Sequence, residues 1–171
     1  MRHLLLLRHA EAEAPRSDVE DIARPLTERG RQQAREAAER LRRLPPLPDT
    51  LLLSPAARTR ETAELIRMGL GLEAGCELRE DPAIYLAAPD ALLAALRACA
   101  PQSRCVLLVG HNPGLSALIG RLASGKATRD ALPADPARFE LPTAGLCRLQ
   151  LDVPDWAQLR PRSVRTVTLA P

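Results

Sequence analysis

Aromatic residues are almost missing from this chain: Tyr85, Phe139 and Trp156 are the only three among 171 residues. A nucleic-acid surface built on stacked rings is therefore excluded, and the core must be made of Leu, Ala, Val and Ile. Lysine is nearly absent too, with Lys126 alone against 23 arginines. Arginine is interspersed with acid and forms no block of five like charges, so a net charge of +3 does not by itself imply a nucleic-acid partner. No stretch approaches the ~18 apolar residues of a membrane span. The run Leu4–Leu7 behind Arg2 is far too short for a signal peptide's apolar region. The four cysteines, Cys76, Cys99, Cys105 and Cys147, show neither a CxxC pair nor zinc spacing. These absences read as a soluble cytoplasmic protein with reduced thiols, with no membrane or nucleic-acid partner.

What is present suits one domain over residues 1–171. Hydrophobic residues make up 46% and charged residues 26%, which excludes wholesale disorder. A domain of this length buries about 70% of the surface its unfolded chain exposes. Short apolar runs at Leu4–Leu7, Leu51–Leu53 and Val106–Val109 read as buried strands, and Glu77–Arg79 as a shorter one. Between them lie helical patterns at Glu28–Arg43, stopped by Pro45-Pro46, and at Asp90–Ala100. Ser54-Pro55 and Asn112-Pro113 each read as a capping residue followed by proline at the first helical position. The first of these helices should end near Met68, before Gly69 and Gly71. Residues 123–142 are polar and Pro-rich and read as a loop, and Leu146–Val153 and Ser163–Leu169 as an antiparallel pair at a sheet edge. Apolar strands alternating with amphipathic helices predict an α/β three-layer sandwich, a mostly parallel sheet with helices on both faces.

In such a sheet ligands bind beyond the carboxyl ends of the strands. Strand one ends in Arg8-His9-Ala10, strand two in Ser54-Pro55 with Arg58 on the next turn, and the Val106 strand in Gly110-His111. Two of the three histidines and two arginines thus fall at one rim; His3 begins its strand and reads as a surface residue. Arginine offers a permanently charged fork matched to phosphate oxygens. A neutral imidazole is a competent nucleophile near pH 7. The conjunction describes an anion pocket in which one histidine attacks phosphorus and the other donates to an equatorial oxygen, with no metal or cofactor required.

These residues resemble the histidine phosphatase superfamily, also called phosphoglycerate mutase-like. Arg8-His9-Ala10 looks like its RHG signature, with Ala10 in place of glycine. Arg24-Pro25-Leu26-Thr27 followed by Gly30 resembles the RPLT segment of short SixA-type phosphohistidine phosphatases. Ser54-Pro55, Arg58 and Thr62-Ala63 resemble the SPxxRxxxTA helix start, and Gly110-His111 the second-histidine motif. The resemblance implies His9 as the phosphorylated nucleophile, with Arg8, Arg58 and His111 completing the phosphate pocket and Arg24 as an added contact. Ala10 adds only a methyl and matters only if its turn needs positive φ.

Many family members use a carboxylic acid after the middle strand to protonate the leaving oxygen. Here Glu80 and Asp81 are the candidates from that stretch, with Glu11 and Glu13 as others, and none is singled out by position. A missing acid would suit a phosphoramidate, because protonated imidazole leaves readily. One helix fills most of the stretch from Glu80 to Val106, so a shallow, open pocket is expected, with the 123–142 loop as one wall. The leading expectation is a SixA-like phosphatase acting on a phosphohistidine-bearing protein such as a phosphotransfer domain. The alternatives are a phosphomonoesterase of the same family acting on a small phosphorylated metabolite, and a non-catalytic phosphate-binding module. A metallohydrolase lacks a third convincing ligand, and a cysteine phosphatase lacks its Cys-to-Arg spacing.

Overall fold

The computed structural model describes residues 1–124, 132 and 139–170. Its strands are β1 (Arg2–Arg8), β2 (Thr50–Leu53), β3 (Glu77–Glu80), β4 (Cys105–Gly110), β5 (Leu146–Leu151) and β6 (Val164–Ala170). Its helices are α1 (Glu28–Arg42), α2 (Ala57–Leu70), α3 (Pro89–Arg97) and α4 (Gly114–Leu122). One six-stranded sheet runs in the order β3-β2-β4-β1-β5-β6. β3, β2, β4 and β1 are parallel, and β5 and β6 close one side in antiparallel sense, as the two late apolar segments predicted.

The leucine runs form strands because alternate residues must face opposite layers, and both layers are covered. Leu5, Leu7, Leu51, Leu53, Leu107 and Val109 pack against Ala37, Ala38 and Leu41 of α1 and Ala63 and Ile66 of α2. Leu4, Leu6, Leu52, Val106 and Leu108 pack against α3 and α4 through Leu92, Leu96, Leu115 and Leu118, with the single tryptophan, Trp156, in the same cluster. The result is the α/β sandwich with helices on both faces. The chain leaves β1 toward α1 on one face and β4 toward α4 on the other. Between those neighbouring strand ends lies the crevice in which open α/β sheets bind ligands.

Local details depart from the predicted boundaries for identifiable reasons. α2 starts at Ala57, after Ala56 and without a side-chain cap. Ser54 lies two residues before the cap position; its hydroxyl accepts from Ala56 N at 3.4 Å and pairs with the His111 ring at 2.8 Å. α2 also runs through Gly69, where a Cβ would meet the Ala38 methyl at 2.8 Å, so glycine there lets α1 and α2 approach closely. Gly71, at φ 67°, makes the left-handed cap. α4 begins at Gly114, and Asn112 does not cap it: its Oδ1 accepts from the Ser116 hydroxyl at 2.8 Å, and its amide nitrogen donates to Leu141 O at 2.7 Å. α3 is shorter than predicted and ends at Arg97. His3 is half-buried on β1, where its Nδ1 accepts from Arg148 at 3.2 Å, rather than lying free at the surface. Most of the predicted 123–142 loop lies outside the described residues.

Candidate active site

Three strand ends deliver the side chains that the sequence placed at one rim. Past β1, the His9 amide donates to Gly110 O at 3.1 Å, tying it to the end of β4, and His9 O accepts from Ala144 N at 3.2 Å. The Ala10 amide donates to Thr62 Oγ1 on α2 at 3.1 Å. Ala10 is fully buried and does not take a positive φ, so the methyl in place of glycine is accommodated. Past β4, the His111 ring lies 5.2 Å from that of His9, centroid to centroid, tilted by 59°. Arg58, on the first turn of α2, is 2% exposed and reaches His111 Nδ1 at 3.4 Å. Arg8 donates to Leu141 O at 2.9 Å and to Glu140 at 3.2 Å.

The segment before α1 brings Arg24 over the same cavity. Residues 11–13 pair with 25–27 through the Ala12–Leu26 bridge and Glu13 N to Pro25 O. Thr27 caps α1 by accepting from Gly30 N at 2.9 Å. Gly30 is required there, because a Cβ would sit 2.0 Å from the Glu11 carbonyl oxygen. That short turn also carries Asp21, which the sequence did not single out. Asp21 accepts from Arg24 at 2.7 and 2.9 Å, from Arg58 at 3.0 Å and from the Tyr85 hydroxyl at 2.5 Å. Tyr85 stands edge-on to His111 at 5.5 Å. The missed signals were an acid three residues before Arg24, and a lone tyrosine in a chain nearly free of aromatics.

Together these groups line an open cavity of about 390 Å³ bounded by Arg8, His9, Arg24, Arg58 and His111, with Glu11, Asp21 and Thr143 beside them. Glu80 and Asp81 are not among its lining residues. Glu80 is held by Arg60 at 2.6 Å through both carboxylate oxygens, and Asp81 accepts from Ala83 N at 2.9 Å, capping a short 3-10 turn. β3 is an edge strand, and at its exit these two carboxylates pair with their own neighbours rather than facing the cavity. Glu11 does line the cavity, tied to Thr27 at 2.9 Å and beside Arg29 at 3.7 Å, whereas Glu13 does not.

The electrostatics keep both rings neutral. Burial, reinforced by Arg58, Arg8 and Arg24, pushes His9 down to about 4. Burial, then His9 and Arg58, pushes His111 to about 3. Asp21 is held far below the usual carboxylate range, chiefly by the Tyr85 hydroxyl and then by Arg24 and Arg58. His9 Nδ1 lies 2.8 Å from Ala10 O, and a carbonyl can only accept. Neutral His9 therefore carries its proton on Nδ1, leaving the Nε2 lone pair free. Among the described residues, the Nε atoms of Arg8 and Arg58 are buried without a hydrogen-bond partner.

Stability should follow these rings. Between about pH 4 and 6.5 the unfolded chain binds protons that folded His9 and His111 refuse, so their contribution is complete above pH 6.5 and is lost as pH falls. The loss should be on the order of 1–2 kcal/mol per ring by pH 5. Urea midpoints measured from pH 7.5 to 5 should fall, and the double variant His9→Asn/His111→Asn should flatten the slope; equal slopes would disprove this origin.

Comparison with known proteins identifies the family. Residues 4–84 match the model of the histidine phosphatase superfamily, branch 1. An uncharacterized protein of Mycobacterium tuberculosis is 34% identical over 155 residues, covering 91% of this chain and 92% of its own. Two solved structures are each 30% identical, and both carry the provisional name phosphohistidine phosphatase SixA. One, from Nakamurella multipartitia, superposes with a TM-score of 0.78 over 98% of this chain and 95% of its own. The other, from Agrobacterium tumefaciens, gives 0.74 over 88% and 92%. With ordered motifs, fold and relatives in agreement, the chain belongs to the histidine phosphatase superfamily.

Proposed function

We propose that this protein hydrolyses the phosphoryl group of phosphohistidine in a partner protein, with His9 Nε2 as the nucleophile. Arg8, Arg24 and Arg58 would hold the equatorial oxygens, and the charge they supply would stand in for a metal. In the structure Arg58 donates to His111 Nδ1 at 3.4 Å, so the ring proton sits on Nε2 toward the Ser54 hydroxyl, 2.8 Å away. His111 would donate from Nδ1 once the phosphoryl oxygens draw Arg58 off that nitrogen and Ser54 turns to donate to Nε2. In the first step the Nε2 lone pair forms an N–P bond. The substrate's own N–P bond breaks, and its electron pair stays on the leaving imidazole, which departs neutral when its other nitrogen carries a proton from solvent. Water then attacks phosphohistidine-9, giving orthophosphate and free His9.

The observation that carries this reading is that, among the described residues, both carboxylates lining the pocket are already engaged. Asp21 is held ionised by Tyr85, Arg24 and Arg58, and Glu11 accepts from the Thr27 hydroxyl with Arg29 beside its other oxygen, so neither is poised to give an alkoxide a proton. An imidazole leaving group has the least need of one. The SixA-named neighbours support the same substrate class. In buffer containing EDTA, a phosphohistidine protein should turn over at least about tenfold faster, in kcat/KM, than p-nitrophenyl phosphate or sugar phosphates. The reverse ranking would favour a small-molecule phosphomonoesterase, and loss of activity in EDTA would favour a metal-dependent reaction.

A further inference from the structure

The cavity lining is charged or polar except at two places, Ala12 and Leu86. Leu86 is 57% exposed and is the only exposed large apolar side chain, among the described residues, that lines the cavity. Its backbone has φ 47°, in the left-handed region that side chains bearing a Cβ disfavour. The conformation is held from both sides. Tyr85 is fastened to Asp21 through its hydroxyl, and its amide donates to Pro82 O at 3.2 Å. On the other side, the Ala87 carbonyl is seated so close to α4 that a Cβ on Gly114 would come within 2.0 Å of its oxygen. A strained residue persists only where its surroundings over-determine it, and such residues cluster at ligand-binding sites. Here the strain presents an apolar side chain at the mouth of an anion pocket, where phosphate itself has no use for it.

We infer that Leu86 is the specificity-determining contact for the leaving group: it lies against the apolar face of the departing imidazole while the arginines hold the phosphoryl group. This assignment rests on the phosphohistidine reading above. An imidazole ring has polar edges and apolar faces, so a single aliphatic side chain at the rim favours it over a leaving group with no ring. Because Tyr85 also pins Asp21, one short segment both fixes the pocket's carboxylate and positions this contact.

The test compares two substrates with wild type and two variants. Free N-phosphohistidine releases a ring, whereas the phosphoramidate ion releases ammonia. Leu86→Gly removes the contact and suits the positive φ. Leu86→Asn keeps a side chain that tolerates that backbone but is polar. Both variants should narrow the kcat/KM preference for N-phosphohistidine over phosphoramidate by about fivefold. A preference unchanged in both folded variants overturns the Leu86 assignment and leaves the phosphohistidine reading standing. A wild type with no preference between the two also overturns the assignment, and one that turns over neither of them nor a phosphohistidine-bearing protein overturns both readings.

Discussion

His9→Ala should abolish turnover, with a loss of kcat/KM on the order of 10³-fold or more, while the protein stays folded. The magnitude follows from the role proposed: with no ring there is no covalent intermediate, and the remaining groups can only orient water. Folding should survive because, among the described residues, the ring's one hydrogen bond goes to the adjacent Ala10 carbonyl, and the strand-end contacts to Gly110 and Ala144 are made by the backbone. A second readout follows from the electrostatics. His9 is one of the groups that depress His111, so His111 should titrate at a higher pH in the variant. The measurements are stopped-time phosphate release and a ring-proton NMR titration. A fully active His9→Ala protein would end the nucleophile assignment.

Arg58→Ala should cost about 10²–10³-fold in kcat/KM, the scale on which removal of a preorganised charge at a reacting group is felt. Arg58 is buried between Asp21 and His111, and it donates to the Asp21 carbonyl at 2.6 Å as well as to its carboxylate. Its loss leaves Asp21 with Arg24 and Tyr85 and opens a hole beneath the cavity, so destabilisation of about 1–3 kcal/mol is expected too. The two effects separate by experiment. Arg58→Lys restores charge without the planar fork, and should recover stability more than activity. Competitive inhibition by inorganic phosphate should weaken in both variants. If Arg58→Ala binds phosphate as tightly as wild type, the guanidinium is a structural strut and not a phosphate ligand.

Much of the architecture was legible in local pattern. Leucine runs of four residues or fewer, separated by amphipathic stretches, can bury themselves only as strands between two helical layers, and β1, β2 and β4 formed where those runs lie. The proline-bearing helix starts were misplaced because a polar side chain that caps and one that braces a site look alike in sequence. Ser54 pairs with His111, 57 positions away, and Asn112 accepts from Ser116 and donates to Leu141, 29 positions away. The general acid was sought after β3 by position alone. Only the fold showed that Glu80 and Asp81 are spent on Arg60 and on a local turn, while Asp21, from a segment between the first two strands, reaches the arginines.

By itself the sequence determined which chemistry-bearing residues end the strands, because a buried parallel strand must emerge at the edge where ligands bind, and hydrophobic periodicity marks where it emerges. The tertiary structure alone decided their protonation and their company. The burial of the two rings and the arrival of Arg58 and Tyr85 at Asp21, 37 and 64 positions away, are long-range facts of dielectric and hydrogen bonding. No residue's identity encodes them until segments a hundred positions apart share one cavity.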